Sequence, residues 1–276
     1  MAITKIEVPE LFDFGSDNSA FKLPTGTTAE RPTSPSNGEM RFNTTTGYVE
    51  YYDTTDTQWW EIDYEALCTT NDPNYPITNL AYYKMSNASD SSGNGYNGTA
   101  TDVNFNVQGK FGNAGEFNGT SSKITVEDSS ANAFGFANMT GSISVWLNPA
   151  VLGTQMGIAA KRDQGSPGNR QWIFRKYSDN KINFYAYQTD TNSQVVISTS
   201  TIPENSWTHV VVTLTTSEMK IYLNGVLDKT TATSYTTIQN DGADLTIGVQ
   251  GANASSNYWN GSIDQIRIFS SALAAG

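Results

Sequence analysis

Residues Ser206 to Leu227 read SWTHVVVTLTTSEMKIYLNGVL. From Trp207 to Leu214 the side chains fall into two alternating sets. Trp207, His209, Val211 and Thr213 form one, Thr208, Val210, Val212 and Leu214 the other. Period-two alternation marks a strand, and both sets carry apolar or β-branched groups. At least one side of this strand is therefore expected to lie under a second sheet. Thr215 to Glu218 turns the chain, and Met219 to Leu223 returns as a second strand. Asn224-Gly225 supplies the next turn, since both residues tolerate positive φ. The stretch predicts a long hairpin in the middle of a β-sandwich.

The same rhythm runs through everything after Leu80. Strands are expected at 80–85, 114–118, 122–127, 142–148, 156–162, 171–176, 181–188, 194–199, 207–215, 219–224, 244–249 and 261–269. Gly- and Asn-rich turns separate them, and no helical period of useful length intervenes. Of the 276 residues only 16% are charged and 37% hydrophobic, so the remainder is rich in the Ser, Thr, Asn and Asp that turns require. Six Trp, 14 Tyr and 12 Phe are enough to fill a sizeable core. The fold class is all-β, a two-sheet antiparallel jelly-roll sandwich.

Charge and composition narrow the function. A formal net charge of −11 argues against a phosphate-backbone partner, and there is no basic stripe for nucleic acid. No apolar run approaches membrane-spanning length, and MAITKIEVPE has no apolar h-region, so neither membrane insertion nor a secretory signal is expected. Cys68 stands alone, which excludes a disulfide framework within one chain. His209 is the single histidine, which excludes a His-based metal cluster or a Ser-His-Asp triad within one chain.

Besides the hairpin, three stretches follow a shared order: Leu80–Gly98 (LAYYKMSNASDSSGNGYNG), Glu116–Val126 (EFNGTSSKITV) with Ser142–Pro149 (SISVWLNP), and Gly261–Phe269 (GSIDQIRIF). Together these resemble the laminin-G-like, concanavalin A-type jelly-roll domains over about residues 79 to 273. That family includes lectins, hydrolases and inert structural modules. The resemblance implies a structural Ca²⁺. Asp264 matches the acid of an I-D-x-[VI]-R-[IV]-[YF] motif, Asp90 in DSSGNG is its expected partner, and the carbonyl of Gly119 is a further candidate ligand. For sugar, the loops RDQGSPGNR and NASSNYWN are expected to flank a face lined by Trp172, Tyr185 and Tyr187. They bring Asp163, Asn169, Arg170, Tyr258 and Trp259 to its rim. Aromatic faces beside Asn, Asp and Arg suit sugar rings, whose CH faces stack while their hydroxyls bond.

The N-terminal part differs. Met1 to Pro24 reads as an extended arm. Leu23 to Ile62 reads as a three-stranded meander with strands at Glu39–Asn43, Tyr48–Asp53 and Gln58–Ile62. About forty residues make a poor autonomous core, so a neighbour or a homo-oligomeric partner is expected. Gly26–Pro32, Gly38, Arg41–Thr44, Thr46-Gly47, Glu50, Tyr52-Asp53 and Trp59-Trp60 resemble a small module of bacteriophage tail-fibre and other virion proteins. The expected organisation is an attachment module over 1–67, a linker over 68–78 and the sandwich over 79–276.

The resulting expectation is a non-enzymatic virion protein whose sandwich projects outward and takes host-surface carbohydrate. The N-terminal module would engage other virion proteins, with a homo-oligomer, for example a trimer, as the assembly. A ligand-free head-decoration protein is one rival. The other is a jelly-roll glycosidase using Glu61 and Glu65 of EIDYE, a pattern that resembles a retaining carboxylate motif but precedes the first sandwich strand.

Overall fold

The computed structural model describes residues 23–61, 79–127, 133–136, 138–163, 169–239 and 242–274. The expected arm up to Lys22, the 68–78 linker, and Asp63 and Glu65 of the acidic run lie outside them. The chain divides into two compact units, Met1–Ile77 and Thr78–Gly276.

In the first unit, β1 (Thr25–Gly26), β2 (Met40–Asn43), β3 (Tyr48–Asp53) and β4 (Gln58–Glu61) form one sheet in that order. β1 runs parallel to β2, and the other pairs are antiparallel. The meander is thus as expected, with a short strand added by the proline-rich lead. Its interior is polar. Glu50 is fully buried opposite Arg41, and accepts hydrogen bonds from Arg31 Nε at 3.2 Å and Asn43 Nδ2 at 3.1 Å. On the other face Met40, Tyr51 and Trp60 stand in cross-strand register, and Met40 and Trp60 are 43% and 42% exposed.

The second unit begins with β5 (Ala81–Tyr83), β6 (Thr99–Thr101), β7 (Asn104–Gln108), β8 (Asn113–Asn118) and β9 (Lys123–Val126). β10 (Gly141–Pro149), β11 (Met156–Arg162), β12 (Arg170–Lys176), β13 (Lys181–Thr189) and β14 (Asn192–Thr201) follow. β15 (Thr208–Leu214), β16 (Glu218–Leu223), β17 (Val226–Ala232), β18 (Leu245–Ile247) and β19 (Asn260–Phe269) complete it. Among the described residues these make an eight-stranded sheet, ordered β17-β16-β15-β10-β19-β8-β7 with β5 also on β19. The other sheet has seven strands, ordered β14-β13-β12-β11-β18-β9-β6.

The opening hairpin is β15–β16. Thr208, Val210, Val212 and Leu214 are buried, while His209 and Val211 on the other face are half-buried. Asn224 and Gly225 turn into β17 with φ of 50° and 81°. One apolar core fills the space between the sheets. It takes Ile143, Val145 and Leu147 from β10, Trp172 and Phe174 from β12, and Phe184 and Ala186 from β13. Burying each large side chain removes apolar surface worth about 1.5–3 kcal/mol. Strands β6, β7 and β17 were not expected. They are polar edge strands with largely exposed side chains, so they carry little alternation to read.

Candidate functional site

Parity along β12 and β13 divides the expected sugar face in two. Trp172 pairs with Ala186, and both point into the core. Trp172 has no exposed surface, its Nε1–H donates to the Phe134 carbonyl at 2.6 Å, and its ring packs against Phe136 and Phe184. Trp259 is fully buried in the same core. Neither tryptophan can present a face to sugar, which corrects the expectation for both: they lie between the sheets, not on an outer surface. Tyr258 is half-buried and spends its hydroxyl on the Ala254 carbonyl, at 2.8 Å.

The opposite parity gives a different surface. Tyr185 and Tyr187 lie on the outer face of the seven-stranded sheet, with centroids 6.3 Å apart and planes inclined by 24°. Arg175, two positions on from Ile173 and directly opposite Asn183, joins them. Its guanidinium carbon lies 4.6 Å from the Tyr185 ring centroid and 4.8 Å from that of Tyr177, and its Nη2 donates to the Tyr185 hydroxyl at 2.9 Å. A register shift at the end of the β11–β12 ladder makes Arg162 and Arg170 direct partners. Arg170 donates through Nη1 to the Asp190 carbonyl at 3.1 Å. Gly251, at φ +128°, leaves room for the Arg162 side chain, which would stand 2.9 Å from a Cβ there.

The loop ends hold this arrangement. Asp163 donates its backbone N–H to the Asn169 carbonyl at 2.9 Å, and its carboxylate accepts from Asn253 Nδ2. Of the expected sugar residues, then, Tyr185, Tyr187, Asp163, Asn169 and Arg170 fall on or beside one outer surface. Arg162, Arg175 and Asn183 were not among those candidates. The alternation of Ile173 and Arg175 against Trp172 and Phe174 was the available signal for Arg175.

Burial depresses the pKa of Arg162, the phenol of Tyr187 offsets part of that, and Arg170 and Arg175 lower it further. Burial raises the pKa of Tyr187 while the three arginines pull it back, so the phenol is neutral at pH 7 and serves as a hydrogen-bonding group.

Both carboxylates among the expected calcium ligands accept backbone N–H groups. The Asp90 carboxylate accepts four donors: the N–H groups of Tyr82, Ser92 and Tyr96 and the Ser92 hydroxyl, at 2.8–3.0 Å. Asp264 is fully buried and accepts the Phe111 N–H at 2.9 Å. Gly119 donates its N–H to the Trp259 carbonyl. Hydrogens face both oxygens of Asp90, whereas on Asp264 they face Oδ2 and leave Oδ1 buried without a hydrogen-bond partner; Ca²⁺ needs a shell of oxygens. Among the described residues no group of three or more His, Cys, Asp or Glu could hold a metal. Burial drives the Asp264 pKa up to about 6, with the backbone N–H groups of Phe111, Lys110 and Gln265 acting against it.

Elsewhere, His209 Nε2 sits 2.8 Å from Ser144 Oγ and its ring stacks on Trp146, a hydrogen-bonded structural role. A groove of about 550 Å³ is lined by Trp207, Leu223, Leu227 and Asp228 among others, but the Asp228 carboxylate is already engaged by the N–H groups of Thr199 and Ser200.

This architecture is shared by a recognised family. Residues 118–276, more than half of the chain, match the concanavalin A-like lectin/glucanases superfamily, and the chain belongs to it. Among solved structures, domain 4 of AbnA, a GH43 extracellular arabinanase from Geobacillus stearothermophilus in complex with arabinotriose, is 22% identical with a TM-score of 0.56. It covers 72% of this chain and 95% of its own. The binding domain of Paraclostridial Mosquitocidal Protein 1 is 18% identical with a TM-score of 0.59, over 72% of this chain and 50% of its own. The botulinum neurotoxin serotype D ligand binding domain in complex with N-acetylneuraminic acid is 19% identical with a TM-score of 0.55, over 72% and 48% respectively. This chain therefore spans about half the length of those two toxin domains. At these identities the likeness is one of fold. No curated protein matches the chain.

Proposed function

We propose that this is a non-enzymatic appendage protein of a bacteriophage particle, whose sandwich binds carbohydrate through the outer face of its seven-stranded sheet. The observation that carries the binding is the half-buried group of Tyr185, Tyr187 and Arg175 on a lectin-type fold: ring faces for sugar CH groups, surrounded by hydrogen-bond donors. A glycosidase would need two carboxyl groups on such a face, roughly 5–10 Å apart. The one carboxyl group identified beside this face, Asp163, is bonded to Asn253, and the other groups there are cationic, phenolic or amide. Glu61, the described member of the acidic run, closes a strand of the separate small sheet, with Glu50 as its cross-strand partner.

The particle attachment rests on the phage-like motif of residues 26–60. The exposed Met40, Tyr51 and Trp60 face supports it, as a surface for another virion protein or a further copy of this chain, a trimer being one arrangement. Many copies would turn weak single-site sugar binding into firm attachment.

Immobilised polysaccharides offered to the full chain test the binding. Retention is expected, and Tyr187→Ala should weaken it roughly tenfold at unchanged melting temperature. Silence across a broad polysaccharide panel would favour a ligand-free decoration role. Immunogold labelling of purified particles tests the attachment.

A further inference from the structure

On the reading that this face takes carbohydrate, we propose that its ligand is an acidic sugar, whose carboxylate is held by Arg162, Arg170 and Arg175. Three guanidinium groups share one surface of a protein whose net charge is −11. Such crowding runs against both local repulsion and the overall composition, and so calls for a local reason. Among the described residues none of the three forms an ion pair with a carboxylate, unlike Arg31, Arg41 and Lys220. Asp163 is the nearest acid in sequence, and Asn253 is bonded to its carboxylate.

The arginines also hold unused donors in a place where unused donors are costly. The Nε–H of each is buried and has no hydrogen-bond partner, and so is the Asn183 side-chain oxygen opposite Arg175. Arg162 makes no side-chain hydrogen bond with any described residue, while Arg170 and Arg175 each donate one. A guanidinium offers paired N–H groups in a planar fork, which matches the two oxygens of a carboxylate. The rings of Tyr185 and Tyr187 lie in the same cluster, giving the pyranose a surface to stack on while its acid group meets the arginines. The pKa of Arg162 is depressed first by burial and further by Arg170 and Arg175, and an arriving anion would offset both effects. The chemistry fits a uronate or another carboxylated sugar at a chain end or in a charged polysaccharide.

The test is a glycan array displaying neutral, carboxylated and sulfated sugars, probed with the full chain. Binding confined to carboxylated sugars, weakening as salt is raised, is the expected result. Arg162→Gln and Arg175→Gln should each lower that affinity by on the order of tenfold to a hundredfold. Arg175→Lys, which keeps the charge but loses the fork, should still lose most of it, and guards against a mere folding effect. Binding to neutral sugars alone would overturn the acidic assignment and leave the carbohydrate reading standing. Tighter binding to sulfated sugars would overturn the carboxylate assignment. Silence on all three classes would overturn both readings. Carboxylate binding that survives both glutamine variants would place the site elsewhere.

Discussion

The two units of this chain are built inside out relative to one another. The sandwich encloses Trp172, Phe174, Phe184 and their neighbours, and places arginines and tyrosines outside. The small sheet encloses Glu50, Arg41 and Asn43, and leaves Met40, Tyr48 and Trp60 exposed. Size explains much of the contrast. A four-stranded sheet of short strands cannot surround an apolar core, so a satisfied polar network fixes its register and its apolar side is left exposed. A unit with fifteen strands among its described residues can surround one, and its outer surface is free to be specialised.

The largest expected difference concerns two tryptophans. Trp172→Ala empties a filled position between the sheets and also orphans the Phe134 carbonyl, so urea unfolding should show a loss of about 3–5 kcal/mol. Trp60→Ser sits on the bare face of the small sheet and should change stability by no more than about 0.5 kcal/mol. If the two losses were similar, the Trp60 face would have to be covered, and the contrast between units would fail.

Next in size is Glu50→Ala. It leaves Arg31 and Arg41 converging on nothing, at a cost of about 3 kcal/mol confined to the small sheet. Hydrogen exchange should speed up in β2 and β3 while β10, β12 and β15 keep their protection. Acid should act in the same way. Burial alone would raise the Glu50 pKa, but the hydrogen bonds from Arg31 and Asn43 outweigh it and hold it below the usual 4.5. A depressed carboxyl pKa stabilises the fold above the unfolded value, and that contribution is lost as pH falls through the lowered one. The small sheet should therefore weaken below about pH 4.5.

Asp264 gives the sandwich the opposite slope. Its pKa rises from 3.8 to about 6, so the native state holds a proton that the unfolded chain has released. That stability is complete below 3.8 and is lost as pH climbs through about 6, with an upper size of about 3 kcal/mol. Asp264→Asn retains an oxygen for the Phe111 N–H and cannot ionise, so it should flatten the melting temperature of the sandwich between pH 4 and 6. Gly109 belongs to the same contact, because a Cβ there would stand 2.7 Å from the Asp264 carboxylate.

The sequence showed the hairpin, the order of the main strands and the three-stranded meander, because each depends on local alternation or on turn residues such as Asn224-Gly225. It did not show which aromatics face outward. Trp172 and Tyr185 are equally plausible sugar platforms as residue types, and they are separated only by the pairing of β12 with β13. Arg170 is harder still. Simple alternation places it on the same side as Trp172, and only the register shift beside Gln171 sets it opposite Arg162. The arginine group was hidden for that reason: its members come from two strands, β11 and β12, and one reaches the face through an irregularity.

The smallest expected effect is none, and it concerns calcium. The family resemblance pointed to Asp90, Gly119 and Asp264, all in the sandwich. A carboxylate oxygen offers about two good acceptor directions, and each Asp90 oxygen already receives two donors. Binding an ion there would mean breaking most of those bonds, which tie the Asp90 turn to β5 and to Tyr96. Asp264 has one oxygen, Oδ1, with no hydrogen bond to give up, but it would have to ionise in a site whose burial favours its neutral form. A chelator should therefore leave the melting temperature unchanged, whereas Asp90→Ala should lower it by roughly 2 kcal/mol of stability through lost hydrogen bonds alone. A drop on adding chelator would mean that oxygen ligands replace those donors in the native protein, and the sandwich would then rest on an ion as the small sheet rests on its Glu50 network.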